Sequence, residues 1–263
     1  MRFALKALKP ERPAAQPEPE ALSVEIGSVS HVVPVRRSDR ARRLTLRIDT
    51  RRGGPVLTVP RRISLAEAER FLARQAGWLE SRIGRLPPAI PFVDGGLFPL
   101  RGAPTRIVHR PGRGTVSHYC ADEDPHVVVP GQGEHLARRL TDWLKAEARK
   151  DLSAAAGRHA ETLGVSPSAI RIRDTGSRWG SCSSRRTLSF SWRLVLAPPH
   201  VLDYLAAHEV AHLREMNHGP KFWKLVGLLD EDYREAEAWL KREGTGLFAV
   251  GRGAPAQTET PAA

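Results

Sequence analysis

The segment VLDYLAAHEVAHLREM, residues 201–216, constrains this chain more than any other. Val201, Leu202, Leu205, Ala206, Val210 and Leu213 make it an apolar helix with a buried environment, yet two histidines and a glutamate stand in its middle. On a helix of 3.6 residues per turn His208 and His212 lie about 40° apart and about 6 Å along the axis, so both imidazoles reach one ion. Burying such groups unpaired is costly, and a metal compensates. Neutral imidazole suits zinc, and a catalytic zinc keeps three protein ligands with its fourth position open to water. Glu209 lies on the same side of the helix, where it takes a proton from a zinc-bound water without being a ligand. The plainer alternative is an amphipathic helix with two satisfied histidines.

The third ligand is expected at His218. Six residues beyond His212, a continuous helix would carry it about 240° round the axis, so the helix must stop first. Asn217 suits a left-handed terminating conformation, and Gly219-Pro220 does not continue a helix. A chain reversing there swings His218 back over the metal. The rivals are Glu231, Glu235 and Glu237 from a later helix, whereas Glu215, about 10 Å along the axis, is too distant.

The rest of the sequence reads as an α+β protein. Residues 1–22 and 251–263 are poor in core-forming residues and are expected as disordered tails. The alternating segments VEIGSVSHVVPVRR, RRLTLRID and PVLTVP predict antiparallel strands. Ser64 precedes LAEAERFLARQAGWLESRIGRL, one helix whose Glu67 completes a capping box and which ends before Pro87-Pro88. Strand candidates follow around FVDGG, TRIVHR and HVVVP, then a long helix over Glu134–Leu163 stopped by Gly164. AIRIRD and TLSFSWRL predict two strands joined by the polar loop TGSRWGSCSSRR. Helices are expected over Pro199–Met216, Pro220–Leu229 and Asp232–Glu243. This divides the chain into an N-terminal β-rich region with one helix, 23–130, and a core of 131–250.

Residues 171–223, RIRDTGSRWGSC through HEVAHLREMNHGPKFW, resemble the signature of the YgjP-like metallopeptidase family, zincins akin to the SprT and Wss proteases. VRRSDRARRLTLRID and LTVPRRISLAEAERFL are also typical, so the resemblance runs from Val35 to Leu247. It implies a gluzincin-like core of supporting helix, β-hairpin and HExxH helix, with Zn2+ on His208, His212 and His218 and Glu209 as general base. Gly219 departs from the serine common in the family. A family match does not set the substrate.

In a zincin-like arrangement the hairpin carrying SRWGSC, residues 177–182, lies along the cleft, where an edge strand pairs with an extended peptide. There Arg178 could face an oxyanion or an anionic substrate group, with Trp179 beside it. Alternatively Arg178 pairs with a core carboxylate and Trp179 packs under the zinc helix. Phe222 and Trp223 are expected to pack the turn after His218, and Cys182 to be a buried free thiol.

Peptide-bond hydrolysis leads the functional readings, with a peptide or protein as partner. Hydrolysis of a nucleotide phosphoanhydride is the alternative, resting on Arg178, Arg185, Arg186 and Arg193 and on the net charge of +12. A nucleic-acid-associated module with a structural zinc is a third, which Glu209 argues against because a closed site needs no base. The excess arginine lacks interleaved aromatics, so solvated basic surface is expected rather than a nucleic-acid platform. Two cysteines, no signal-like start and no run of roughly 20 apolar residues fit a cytoplasmic protein with no membrane partner.

Overall fold

The computed structural model describes residues 21–120 and 124–253. The expected tails fall largely outside these residues, and Ala21 and Leu22 open the first strand. The described residues form two compact units, one of 21–48 and 55–84 and the other of 49–54, 85–120 and 124–253.

In the first unit, β1 (Ala21–Ile26), β2 (Val29–Ser38), β3 (Thr45–Asp49) and β4 (Gly54–Pro60) form one sheet in the order β1-β2-β4-β3. The period-two pattern of β1 points Leu22, Val24 and Ile26 inward, where they join Val33, Val35, Leu57 and Val59. β1 and β2 are antiparallel as expected, but β2 and β4 are parallel. The all-antiparallel expectation failed because β3 takes the sheet edge and β4 returns between it and β2. Two helices, α1 (Leu65–Arg74) and α2 (Ala76–Ile83), replace the single helix expected, with the break at Gln75. The Ser64 hydroxyl accepts from the Glu67 N–H at 3.2 Å and starts α1.

The second unit begins with a sheet of β5 (Leu97–Leu100), β6 (Ala103–Arg110), β7 (Ser117–Tyr119) and β8 (His126–Pro130), ordered β5-β6-β8-β7. FVDGG is the turn before β5 rather than a strand. α3 (Leu136–Leu163) follows a short 3-10 turn and ends at Gly164, whose φ of 61° is the left-handed cap that glycine adopts without strain. Its buried stripe, Leu136, Leu140, Leu144, Ala148, Leu152 and Ala156, recurs every four residues and makes α3 the support of the core.

Beyond α3, β9 (Ala169–Arg173), β10 (Gly180–Cys182) and β11 (Thr187–Ser191) pair in the order β10-β11-β9. β10 and β11 form the antiparallel hairpin of a zincin-like core, and β10 is an edge strand. β9 is parallel to β11, and β10 arises within the stretch between them that was expected as a loop. The strand expected to reach Leu194 stops at Ser191, and Trp192–Leu196 wind into a buried 3-10 turn. Three helices complete the unit: α4 (Pro199–Ala211), α5 (Pro220–Leu229) and α6 (Tyr233–Leu247). α4 is buried through Val201, Leu205, Ala206 and Val210 in the same core as α3. The architecture is α+β, with the histidine-bearing helix laid across its support.

Candidate metal centre

α4 ends at Ala211, five residues before the expected Met216, with His212 as its C-cap. The turn that follows is held by backbone bonds from Leu213 to Val210 at 2.9 Å, from Arg214 to Ala211 at 3.0 Å and from Gly219 to Asn217 at 2.7 Å. The Arg214 guanidinium donates to the carbonyl of Leu163 at the end of α3. Asn217 does not supply the expected left-handed residue, since Arg101 and Arg186 alone among described non-glycine residues have positive φ. Pro220 at the first turn of α5 then restarts the helix. The reversal brings Nε2 of His218 to 3.1 Å from Nε2 of His208 and 3.0 Å from Nε2 of His212.

Three imidazole nitrogens around a tetrahedral zinc, each at about 2.0–2.1 Å, would stand roughly 3.3 Å apart. The ligand atoms of His208, His212 and His218 all lie within 4.8 Å of one another, and no other such group of three occurs among the described residues. Glu231, Glu235 and Glu237 are outside it. The Nδ1 of His212 lies 3.0 Å from the Glu215 carbonyl, which can only accept, so the proton sits on Nδ1 and the Nε2 lone pair faces the cluster. The hydroxyl of Tyr204, one turn earlier, is 3.4 Å from Nδ1 of His208. Burial, with His212 and His218 adding to it, pulls His208 down to about 4, and burial lowers His212 as well. Both therefore stay neutral at pH 7 and keep the lone pairs a metal needs. The residues fit Zn2+.

Phe222 is fully buried against all three imidazoles, with ring centroids 4.9, 4.5 and 4.7 Å from His208, His212 and His218. Burial of such a ring is worth roughly 2–3 kcal/mol, so the same side chain that packs the turn fixes the ligand rings. Trp223 stacks on His218 at 5.9 Å and on Tyr233 at 5.4 Å.

Glu209 is 4% exposed, and its Oε2 is buried without a hydrogen-bond partner. Burial pushes its carboxyl up to about 8, while the charge of Arg178 pulls the other way. The carboxylate lies against β10 at Gly180, where an added Cβ would come within 2.7 Å of Glu209 Cγ and 2.8 Å of Cδ. Only glycine leaves this room. The sequence offered no signal for it, because the clash is between residues on different elements.

Arg178 is exposed, with its charge felt at Glu209. Trp179 packs on α6 rather than under α4, stacking on Phe248 at 4.6 Å and lying against Gly244. Of the other arginines, Arg193 is buried and donates to the carbonyls of Leu247 at 3.0 Å and Val250 at 2.7 Å, with Asp174 at 3.3 Å from Nε. Arg186 is bound to the Ser166 carbonyl. Cys182 is a half-buried free thiol whose pKa burial raises.

The description of a YgjP-like metallopeptidase domain matches residues 42–243, well over half of the chain. The chain belongs to the YgjP-like metallopeptidase family. With the histidine cluster, this makes the YgjP-like protein a zinc-dependent metallohydrolase. No curated protein matches it. Two crystal structures of metallopeptidase zymogens are similar over 35% of this chain: abylysin of Pyrococcus abyssi, at 20% identity over 95% of that chain, and jannalysin of Methanocaldococcus jannaschii, at 22% over 89%. Both have TM-scores of 0.32. No helix among the described residues is long and apolar enough to cross a membrane.

Proposed function

We propose that this YgjP-like protein hydrolyses peptide bonds, with His208, His212 and His218 as the zinc ligands and Glu209 as the general base. The observation that carries the reading is a buried carboxylate with an unpartnered oxygen, one residue from the first of three converging imidazoles. A bound zinc supplies Lewis acidity to the attacking water and the scissile carbonyl. Glu209 in its carboxylate form, which nearby positive charge favours, accepts the proton of that water and then returns it to the leaving amine. The edge of β10 offers main-chain donors and acceptors to an extended peptide, and Arg178 beside it faces developing negative charge. Trp179 forms a wall of the substrate cleft.

The phosphoanhydride alternative asks for several free arginines, and the commitments of Arg193 and Arg186 to backbone carbonyls leave it less well supplied. All proposed catalytic residues fall within 131–250, which we take as the catalytic core following the β-rich region 23–130. A cytoplasmic setting is in keeping with the two free cysteines.

The test is paired. Reconstituted protein is expected to hold about one zinc per chain, and Glu209→Gln to keep that zinc while losing about 10²–10⁴-fold in kcat on a peptide substrate. Metal analysis and turnover decide it: a fully active Glu209→Gln would remove the base, and phosphoanhydride turnover without peptide turnover would replace the substrate class.

A further inference from the structure

Beside His208 and Glu209 opens a cavity of about 290 Å³ between α4, β10 and α6. One part of its wall is apolar: Trp179 held by Phe248, the buried side chains of Tyr204 and Leu205, and Leu240. Two carboxylates line it, Glu209 at the metal end and Glu237 on α6, with Lys241 at the same rim. Glu237 of α6 is half-buried, with 36% of its side chain exposed, and its charge reaches Tyr204, whose hydroxyl pKa is raised chiefly by burial and then by Glu237. Its ion-pair partner, Lys241 one turn on, stands 2.8 Å away and is 70% exposed.

We propose that this cavity is the subsite for a substrate side chain next to the scissile bond, and that it selects lysine or arginine, with Glu237 as the counter-charge. The inference rests on the peptidase reading. A long aliphatic stem fits the apolar part of the wall, while its cationic end meets a carboxylate that the bound peptide would otherwise desolvate. The pairing of Glu237 with Lys241 is an exposed i,i+4 contact of small value, so a substrate cation displaces Lys241 into water at little cost. A neutral side chain of equal length leaves the covered carboxylate with only that outer partner, and an acidic one meets it directly. Charge, more than shape, therefore sets the preference.

The experiment uses full-length, zinc-loaded protein and a peptide series carrying lysine, arginine, norleucine or glutamate at each position flanking the cleaved bond. At one position wild type is expected to favour lysine and arginine over norleucine by about ten-fold or more in kcat/KM, the size of one charge-assisted contact. Glu237→Gln should abolish that ratio, Glu237→Lys should shift preference toward glutamate, and Glu235→Gln, exposed on the same helix, should leave it in place. The same ranking is expected in equilibrium binding to zinc-loaded Glu209→Gln, a readout free of turnover. Cleavage with no charge preference, or a preference that survives both Glu237 substitutions, overturns the subsite alone. A series that wild type neither cuts nor binds overturns the peptidase reading and the subsite with it.

Discussion

Two histidine–carboxylate groupings share α4, and they differ in what is left unpaired. Toward its N-terminal end Asp203 takes 3.1 Å from Nε2 of the buried His159 and 2.7 Å from Nη2 of Arg158, both on α3. These bonds hold the Asp203 carboxyl below its usual range, the hydrogen bond to His159 first among the causes. Toward the C-terminal end Glu209 keeps an oxygen with no partner, and three imidazoles turn their nitrogens toward one another. A buried unsatisfied group costs about 1–3 kcal/mol, more when charged. The first grouping returns its burial cost as a tie between two helices. The second leaves a carboxylate oxygen unpaired, as the proposed general base requires.

The contrast is most exposed to the loss of a nitrogen from the unsatisfied grouping. Structural zinc sites in small peptides are worth roughly 10–16 kcal/mol shared among their ligands, so removing one of three proposed ligands in His218→Ala should weaken zinc on the order of 10³-fold or more. Competition with a chromophoric chelator measures it, with Glu235→Ala expected to bind normally. An unchanged affinity in His218→Ala would leave the three nitrogens without a purpose.

A smaller loss, about 10–100-fold in kcat, is expected from Gly180→Ala. The new methyl cannot coexist with Glu209 where it stands, and misplacing a reacting group by about 1 Å costs on that order. Zinc content should stay at the wild-type level. Loss of metal along with activity would mean that Gly180 shapes the whole site rather than the carboxylate alone.

Asp203→Asn should show the smallest effect, and only in stability: about 1 kcal/mol at neutral pH, since the carboxylate is partly exposed and screened. The pH dependence has a definite sign. A carboxyl with a depressed folded pKa contributes its full stabilisation above its unfolded value of about 3.9 and loses it as pH falls through the lower folded value. Denaturant midpoints of wild type and variant should thus differ at pH 7 and converge at strongly acidic pH. A gap that persists there, or a fall in zinc affinity, would blur the division between the two groupings.

The metal cluster was legible in the sequence because its geometry is mostly local. His208 and His212 lie on one helix, whose periodicity places them without help from the rest of the chain. His218 was legible through Gly219-Pro220, though the turn is built without a left-handed Asn217 and relies on Arg214 reaching the end of α3. Arg193 was misjudged for the same kind of reason. Its charge suggested a surface near an anionic substrate, while its environment, the carbonyls at the end of α6, comes from residues more than fifty positions away.

The sequence by itself determined which residues can hold a metal, because a helix fixes the spacing of its own side chains, and where α3 stops, because Gly164 adopts the left-handed cap without strain. Tertiary structure alone decided what those residues meet. Whether a carboxylate is paired, like Asp203, or orphaned, like Glu209, depends on atoms brought from α3 in one case and on the missing side chain of Gly180 in the other. The parallel pairing of β9 with β11, the edge position of β10 and the cavity that sets Glu237 beside His208 arise likewise from contacts between distant segments. Solvation and electrostatics act through space, and no pattern along the chain records them.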